Sequence, residues 1–128
     1  MKTVKRSLMI LLAAVLLIMG LTSCKNVAVG LVESSTNKSV SMRFASLKGT
    51  REYSLYVRSG DTLHYTAELG SGTATVYIMQ DGYKDELFTL SGGEDVDDEL
   101  SGLDYGTVYV IIEAEGTCKK GNFKFKLE

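Results

Sequence analysis

The 128-residue sequence has no proline, no tryptophan, one histidine and two cysteines. Without proline there is no stiff proline-rich linker and no polyproline recognition segment. The lone histidine, His64, has Ser59 and Asp61 near it in the chain. Nearness in sequence does not align a nucleophile, a base and an oxyanion site, and no spacing completes a tetrahedral zinc set around it. A basic excess is missing too: 14 Lys and Arg stand against 16 Asp and Glu. Nucleic acid is therefore a poor partner, because phosphate contacts need a basic surface. The glycine pieces Gly70-Ser71-Gly72 and Gly92-Gly93 lack the strand-to-helix step and the trailing Lys-Ser/Thr of a phosphate loop, and read as turns. No catalytic constellation is present, so an enzyme is not expected.

What is present begins with an address. Lys2, Lys5 and Arg6 precede an uncharged run of 14 residues from Leu8 to Leu21. A membrane span needs about 20 apolar residues, so a positive start, short apolar centre and small-residue exit read as a signal peptide. The exit, Leu21-Thr22-Ser23-Cys24, resembles the lipobox of bacterial lipoproteins. That resemblance covers only the first 24 residues. It implies a diacylglyceryl group on the Cys24 sulfur and cleavage between Ser23 and Cys24. Residues 1–23 are then the signal peptide, 24–38 the lipidated cysteine with a short tether and a possible first strand, and 39–128 the remainder of a single β domain. Two or more acyl chains hold a protein stably on a bilayer where one does not. The expected partner is thus a membrane, reached through the lipid, on the extracytoplasmic side of the cell envelope. Lipoproteins kept at an inner membrane often carry Asp after the cysteine; Lys25 allows outer-membrane display if the organism is Gram-negative. With Lys2, Lys5 and Arg6 removed, 11 basic residues remain against 16 acidic ones, a formal net charge of −5. With the Cys24 sulfur used, Cys118 is a lone thiol, expected to serve as a small buried apolar side chain.

Beyond Cys24 the apolar residues recur with period two. Val40, Met42 and Phe44 alternate with Ser41 and Arg43, and the same holds over 53–57, 63–69, 74–79, 108–114 and 123–127. Such stretches place one face on a core and the other toward water, and they are rich in the Val, Ile, Thr, Tyr and Phe that pack well on pleated surfaces. Weaker strands are predicted near Asn26–Glu33 and Glu86–Leu90. Turn signals separate them at Lys48-Gly49, Ser59-Gly60-Asp61, Gly70-Ser71-Gly72, Asp81-Gly82, Ser91-Gly92-Gly93 and Lys120-Gly121-Asn122. The predicted fold is all-β, an antiparallel sandwich of about 7–8 strands, with a small open barrel as the alternative.

Two clusters are candidate sites. If Ala74, Val76 and Ile78 face the core, Tyr77 and Met79 face outward, as Tyr109 and Ile111 do on another strand and Tyr56 on a third. Should those strands be neighbours, the five side chains form one tyrosine-rich binding patch. The acidic run Glu94, Asp95, Asp97, Asp98 and Glu99 offers hard oxygen ligands for calcium only if a loop lets them converge. As a strand it divides them between two faces, and it lacks the EF-hand pattern. A solvated acidic edge or a docking surface for a basic partner are the other readings. No cofactor is expected apart from that calcium alternative. The expected function is a noncatalytic envelope module that binds another envelope protein or serves a structural role. The alternative is a small-ligand binder, with carbohydrate or calcium as the ligand.

Overall fold

The structure is a computed structural model that describes residues 26–128. The signal peptide, the lipobox and Cys24 lie outside the described residues. Seven strands follow one another: β1 (Val27–Val29), β2 (Val32–Ser35), β3 (Ser39–Val57), β4 (Leu63–Gln80), β5 (Tyr83–Ser91), β6 (Asp95–Leu100) and β7 (Gly106–Leu127). All pairings are antiparallel. The three long strands form the centre, with β7 inserted between β3 and β4; β1 and β2 flank β3, while β5 and β6 flank β4.

One sheet becomes two layers because the long strands turn a common corner. Their registers shift between Lys48 and Gly49 and between Ser71 and Thr73. Gly49, Gly72 and Gly116 sit there with φ of 101°, 93° and 71°, a region that costs little only without a Cβ. A Cβ on Gly72 would stand 2.7 Å from the Thr117 carbonyl oxygen. The first layer holds β1, β2, the start of β3, the end of β7, the start of β4, and β6. The second holds the end of β3, the start of β7, the end of β4, and β5.

Burial follows the period-two pattern in both layers. Val40, Met42 and Phe44 point inward before the corner, and Leu55 and Val57 after it. Leu63 to Leu69 and Phe123 to Leu127 are buried at odd positions, and Ala74 to Ile78 and Val108 to Ile112 at even ones. The inward parity therefore changes along each long strand, and the bend keeps the apolar side within. Phe88 of the second layer stacks on Tyr65 and Phe123 of the first, with centroids 5.4 and 6.5 Å apart. Cys118 is fully buried with a free thiol that donates to the Thr73 carbonyl at 3.1 Å. Burial pushes that thiol's pKa up, which keeps it protonated and inert.

Three expected turns are corrected. Lys48-Gly49, Gly70-Ser71-Gly72 and Lys120-Gly121-Asn122 are irregularities inside continuous strands, where neighbouring strands keep the backbone paired through the bend. Asp81-Gly82 is a true two-residue hairpin, both residues at positive φ, 53° and 81°, as the twist of flanking strands favours. The acidic stretch, assigned no element from sequence, is the edge strand β6.

From β2, which pairs with the first-layer part of β3, Glu33 reaches the second-layer part of the same strand. The Glu33 carboxylate accepts from the Arg51 guanidinium at 2.6 and 2.8 Å and from the Tyr53 hydroxyl at 2.7 Å. The Tyr53 and Arg51 hydrogen bonds hold the Glu33 carboxyl below its ordinary pKa. Burial, then the bond to Glu33, pushes the Tyr53 phenol up to about 12.

Candidate functional site

Register brings four of the five outward residues onto direct cross-strand pairs. On the outer face of the second layer, Tyr77 lies opposite Ile111 and Met79 opposite Tyr109. On the other side of β7, Tyr109 pairs with Ser54 and Thr107 with Tyr56, so Tyr56 is the diagonal neighbour of Tyr109, within reach of a ring. All five candidates thus share one face.

They do not share one environment. Ile111 is only 7% exposed although it stands outside the core cluster. Tyr77 is capped by Lys84, whose Nζ lies 4.3 Å from the ring centroid and 3.0 Å from Glu113 Oε2. Beside them Thr75 and Thr89 hydroxyls meet at 3.1 Å, and Thr89 donates to Glu86. This half of the face satisfies its own polar groups and covers its own apolar ones.

The other half is open. Tyr109 is 36% exposed and Tyr105 is 69% exposed. The Tyr105 ring meets the Tyr56 ring edge-on at 5.6 Å, a favourable geometry for aromatic pairs. The neighbouring Tyr105 hydroxyl, then desolvation, pushes the Tyr56 phenol up. Tyr105 stands in the connection between β6 and β7, which is clamped by one side chain. The Gln80 amide nitrogen donates to the Asp104 carbonyl at 2.6 Å, and its oxygen accepts from the Asp104 N–H at 3.0 Å. Tyr105 is not among the residues that the sequence singles out. Its loop, Ser101-Gly102-Leu103-Asp104-Tyr105-Gly106, has no period, and contacts far apart in the chain, the Gln80 clamp and the packing of Leu103 on the core, hold it.

Behind the same connection lies a cleft of about 460 Å³. Its walls are Ile78, Tyr83, Leu87, Leu100 and Leu103, with Asp81, Asp85, Glu86 and Asp104 at its margin. Among the described residues no basic side chain lines it. Tyr83, 76% exposed, marks its mouth. The tyrosine ledge and the cleft therefore flank one loop, and both combine ring faces with hydrogen-bond acceptors.

The acidic run does not converge. As strand β6, Asp95, Asp97 and Glu99 lie opposite Glu68, Thr66 and His64, whereas Asp98 lies opposite the buried Tyr65. Glu94 precedes the strand and its carboxylate accepts from the Ser91 N–H. Among the described residues no group of three His, Cys, Asp or Glu is placed to hold a metal ion. The calcium alternative at Glu94, Asp95, Asp97, Asp98 and Glu99 is thus corrected to an edge strand whose carboxylates divide between two faces. His64 contacts Glu99 at 3.3 Å and Glu128 at 3.9 Å, a surface ion pair when protonated.

No family model matches the chain, and no curated protein matches it. Among solved structures the chain is similar to a mutant of a family 29 carbohydrate-binding module complexed with mannohexaose. Identity is 19%, over 80% of this chain and 77% of that one, with a TM-score of 0.42. It is also similar to a structure described as CBM4 structure and function, at 10% identity over 79% and 80% with a TM-score of 0.39. A third is the Drosophila melanogaster CENP-C cupin domain, at 14% identity over 81% of each chain with a TM-score of 0.33.

Proposed function

We propose that this chain is a noncatalytic binding module for a neutral polysaccharide, held at the cell envelope by lipid on Cys24. The observation that carries the ligand class is the open ledge of Tyr56, Tyr105 and Tyr109 beside a cleft margined by Asp81, Asp85, Glu86 and Asp104. A sugar ring has an apolar C–H face that stacks on a flat aromatic ring, and a rim of hydroxyls that needs acceptors; tyrosine and carboxylate provide both. The acidic margin disfavours anionic polymers by like-charge repulsion. A protein partner would call for a continuous apolar centre. Ile111 and Tyr77, the residues that would supply it, are already covered.

The test is affinity electrophoresis of the wild-type protein in gels containing soluble neutral glucans, mannans or xylans. Retardation by at least one of them is expected. Tyr105→Ala and Tyr109→Ala should each reduce the affinity about tenfold, because each removes a ring on which a sugar stacks. Migration unchanged across the whole panel, or binding that both variants retain in full, would reject the reading. Mass spectrometry of the N-terminus from native membranes tests the anchor: a diacylglyceryl-cysteine is expected, and an unmodified Cys24 defeats that part.

A further inference from the structure

The outer face of the first layer carries a different surface. Val27, Val29 and Val32 are 46%, 56% and 59% exposed, large values for apolar side chains within strands. Register sets them on the outer side, Val27 opposite Lys48 and Val32 opposite Arg43. Lys119 and Lys124 continue the stripe on β7, opposite Ser46 and Ser41. Among the described residues none of Arg43, Lys48, Lys119 and Lys124 forms an ion pair. Of the carboxylates near this face, Glu68 on β4 and Asp95, Asp97 and Glu99 on β6 lie beyond β7, and Glu128, just past the end of β7, pairs with Lys126. Strand spacing puts β6 about 19 Å from the valine edge. One face is thus divided into an apolar-basic half and an acidic half.

We infer that the valine edge, with its basic border, rests on an anionic bilayer and holds the tyrosine ledge away from it. This rests on the Cys24 lipid proposed above. Val27 follows Cys24 by three residues, a reach of at most about 11 Å for extended chain. A lipid on Cys24 therefore brings β1 to the headgroup region with no slack for the domain to stand clear. Valines at that depth leave water, while lysine and arginine heads meet anionic phosphates. The acidic half is carried off the surface by the width of the layer. The tyrosine ledge is on the opposite outer face, behind the second layer, and faces the medium.

The absence of tryptophan makes the test direct. Val29→Trp and, separately, Tyr109→Trp each place a sole tryptophan in the full-length lipidated protein. Each is reconstituted in vesicles of an equal mixture of phosphatidylcholine and phosphatidylglycerol with brominated chains. About half of the V29W emission is expected to be quenched, as for a side chain at the interface, and the Y109W emission to stay unquenched. Adding Arg43→Glu and Lys48→Glu to V29W should weaken its quenching, with circular dichroism showing the sheet intact. Acylated Cys24 with V29W unquenched overturns the docking alone. Equal quenching at both positions overturns the orientation. An unmodified Cys24 in the same sample overturns the tether and the docking with it. Quenching abolished because V29W and wild type form dimers through β1 in sedimentation also overturns it.

Discussion

The two outer faces are built from the same three long strands and differ in almost every surface property. On the second layer, β3, β4 and β7 present tyrosines whose rings are partly capped and partly open, with acceptors around them. On the first, β3 and β7 present lysine and arginine beside the valines of β1 and β2 at one edge, and β4 presents Glu68 beside the carboxylates of β6 at the other. The inner faces show no such contrast, since both layers feed one apolar cluster. The lesson is that a strand long enough to turn a corner can serve two unrelated surfaces while contributing to one core. The corner separates the tasks, and the core keeps their relative orientation.

That comparison is broken most severely at the core. Phe123 is fully buried and faces both Phe44 and Phe88. Phe123→Ala should cost about 3–5 kcal/mol. Both faces should be lost in a single urea transition. Two separate transitions would show that the layers are independent. Next is the corner itself. Gly72→Ala places a Cβ against Thr117 and Cys118 backbone at a φ of 93°, and should cost about 1–3 kcal/mol. A melting temperature equal to wild type would mean that the bend does not depend on glycine.

The bridge between the layers gives a smaller, pH-dependent effect. Glu33 has its pKa lowered by Tyr53 and Arg51. Its contribution is therefore complete above the ordinary carboxyl value of 4.5 and is lost as pH falls through the folded value. Its side chain is 33% exposed, so Glu33→Gln should cost no more than about 1 kcal/mol at neutral pH. It should also flatten the acid limb of the melting-temperature profile. A mutant profile parallel to wild type at every pH would rule the bridge out. Tyr53 has the opposite sign: its raised pKa stabilises fully below 10 and fades as pH rises through about 12. Ultraviolet titration should find one tyrosine ionising near 12, and Tyr53→Phe should abolish that step. The smallest effect on stability belongs to the ledge. Tyr105→Ala should shift it by less than about 0.5 kcal/mol while reducing polysaccharide affinity. A large fall in stability would make Tyr105 a packing residue.

Much of the fold was legible because alternation is local. Each residue's inward or outward direction follows from its neighbours, which is why Val76, Val110 and Phe125 are buried and Tyr77 and Tyr109 are outward. Turn chemistry was legible only where it acts alone. Asp81-Gly82 reverses the chain, whereas Lys48-Gly49 and Lys120-Gly121-Asn122 carry the same residue types yet bend continuous strands. A glycine signals that the backbone can depart from ordinary φ; whether the chain then reverses or continues depends on the strand beside it. The same limit hid Tyr105, whose place beside Tyr56 depends on Gln80, held to the neighbouring Asp104 from 24 residues earlier in the chain.

By itself the sequence determined the all-β class, the inward side of the core-forming stretches, and the outward side of Tyr56, Tyr77 and Tyr109, since all are consequences of period-two burial. Only the tertiary structure decided that three turn signals are one corner, that the acidic run is an edge strand, and that the open tyrosines gather around a clamped loop. Those outcomes come from hydrogen bonds and side-chain packing between segments far apart in the chain, whose pairing no local pattern encodes.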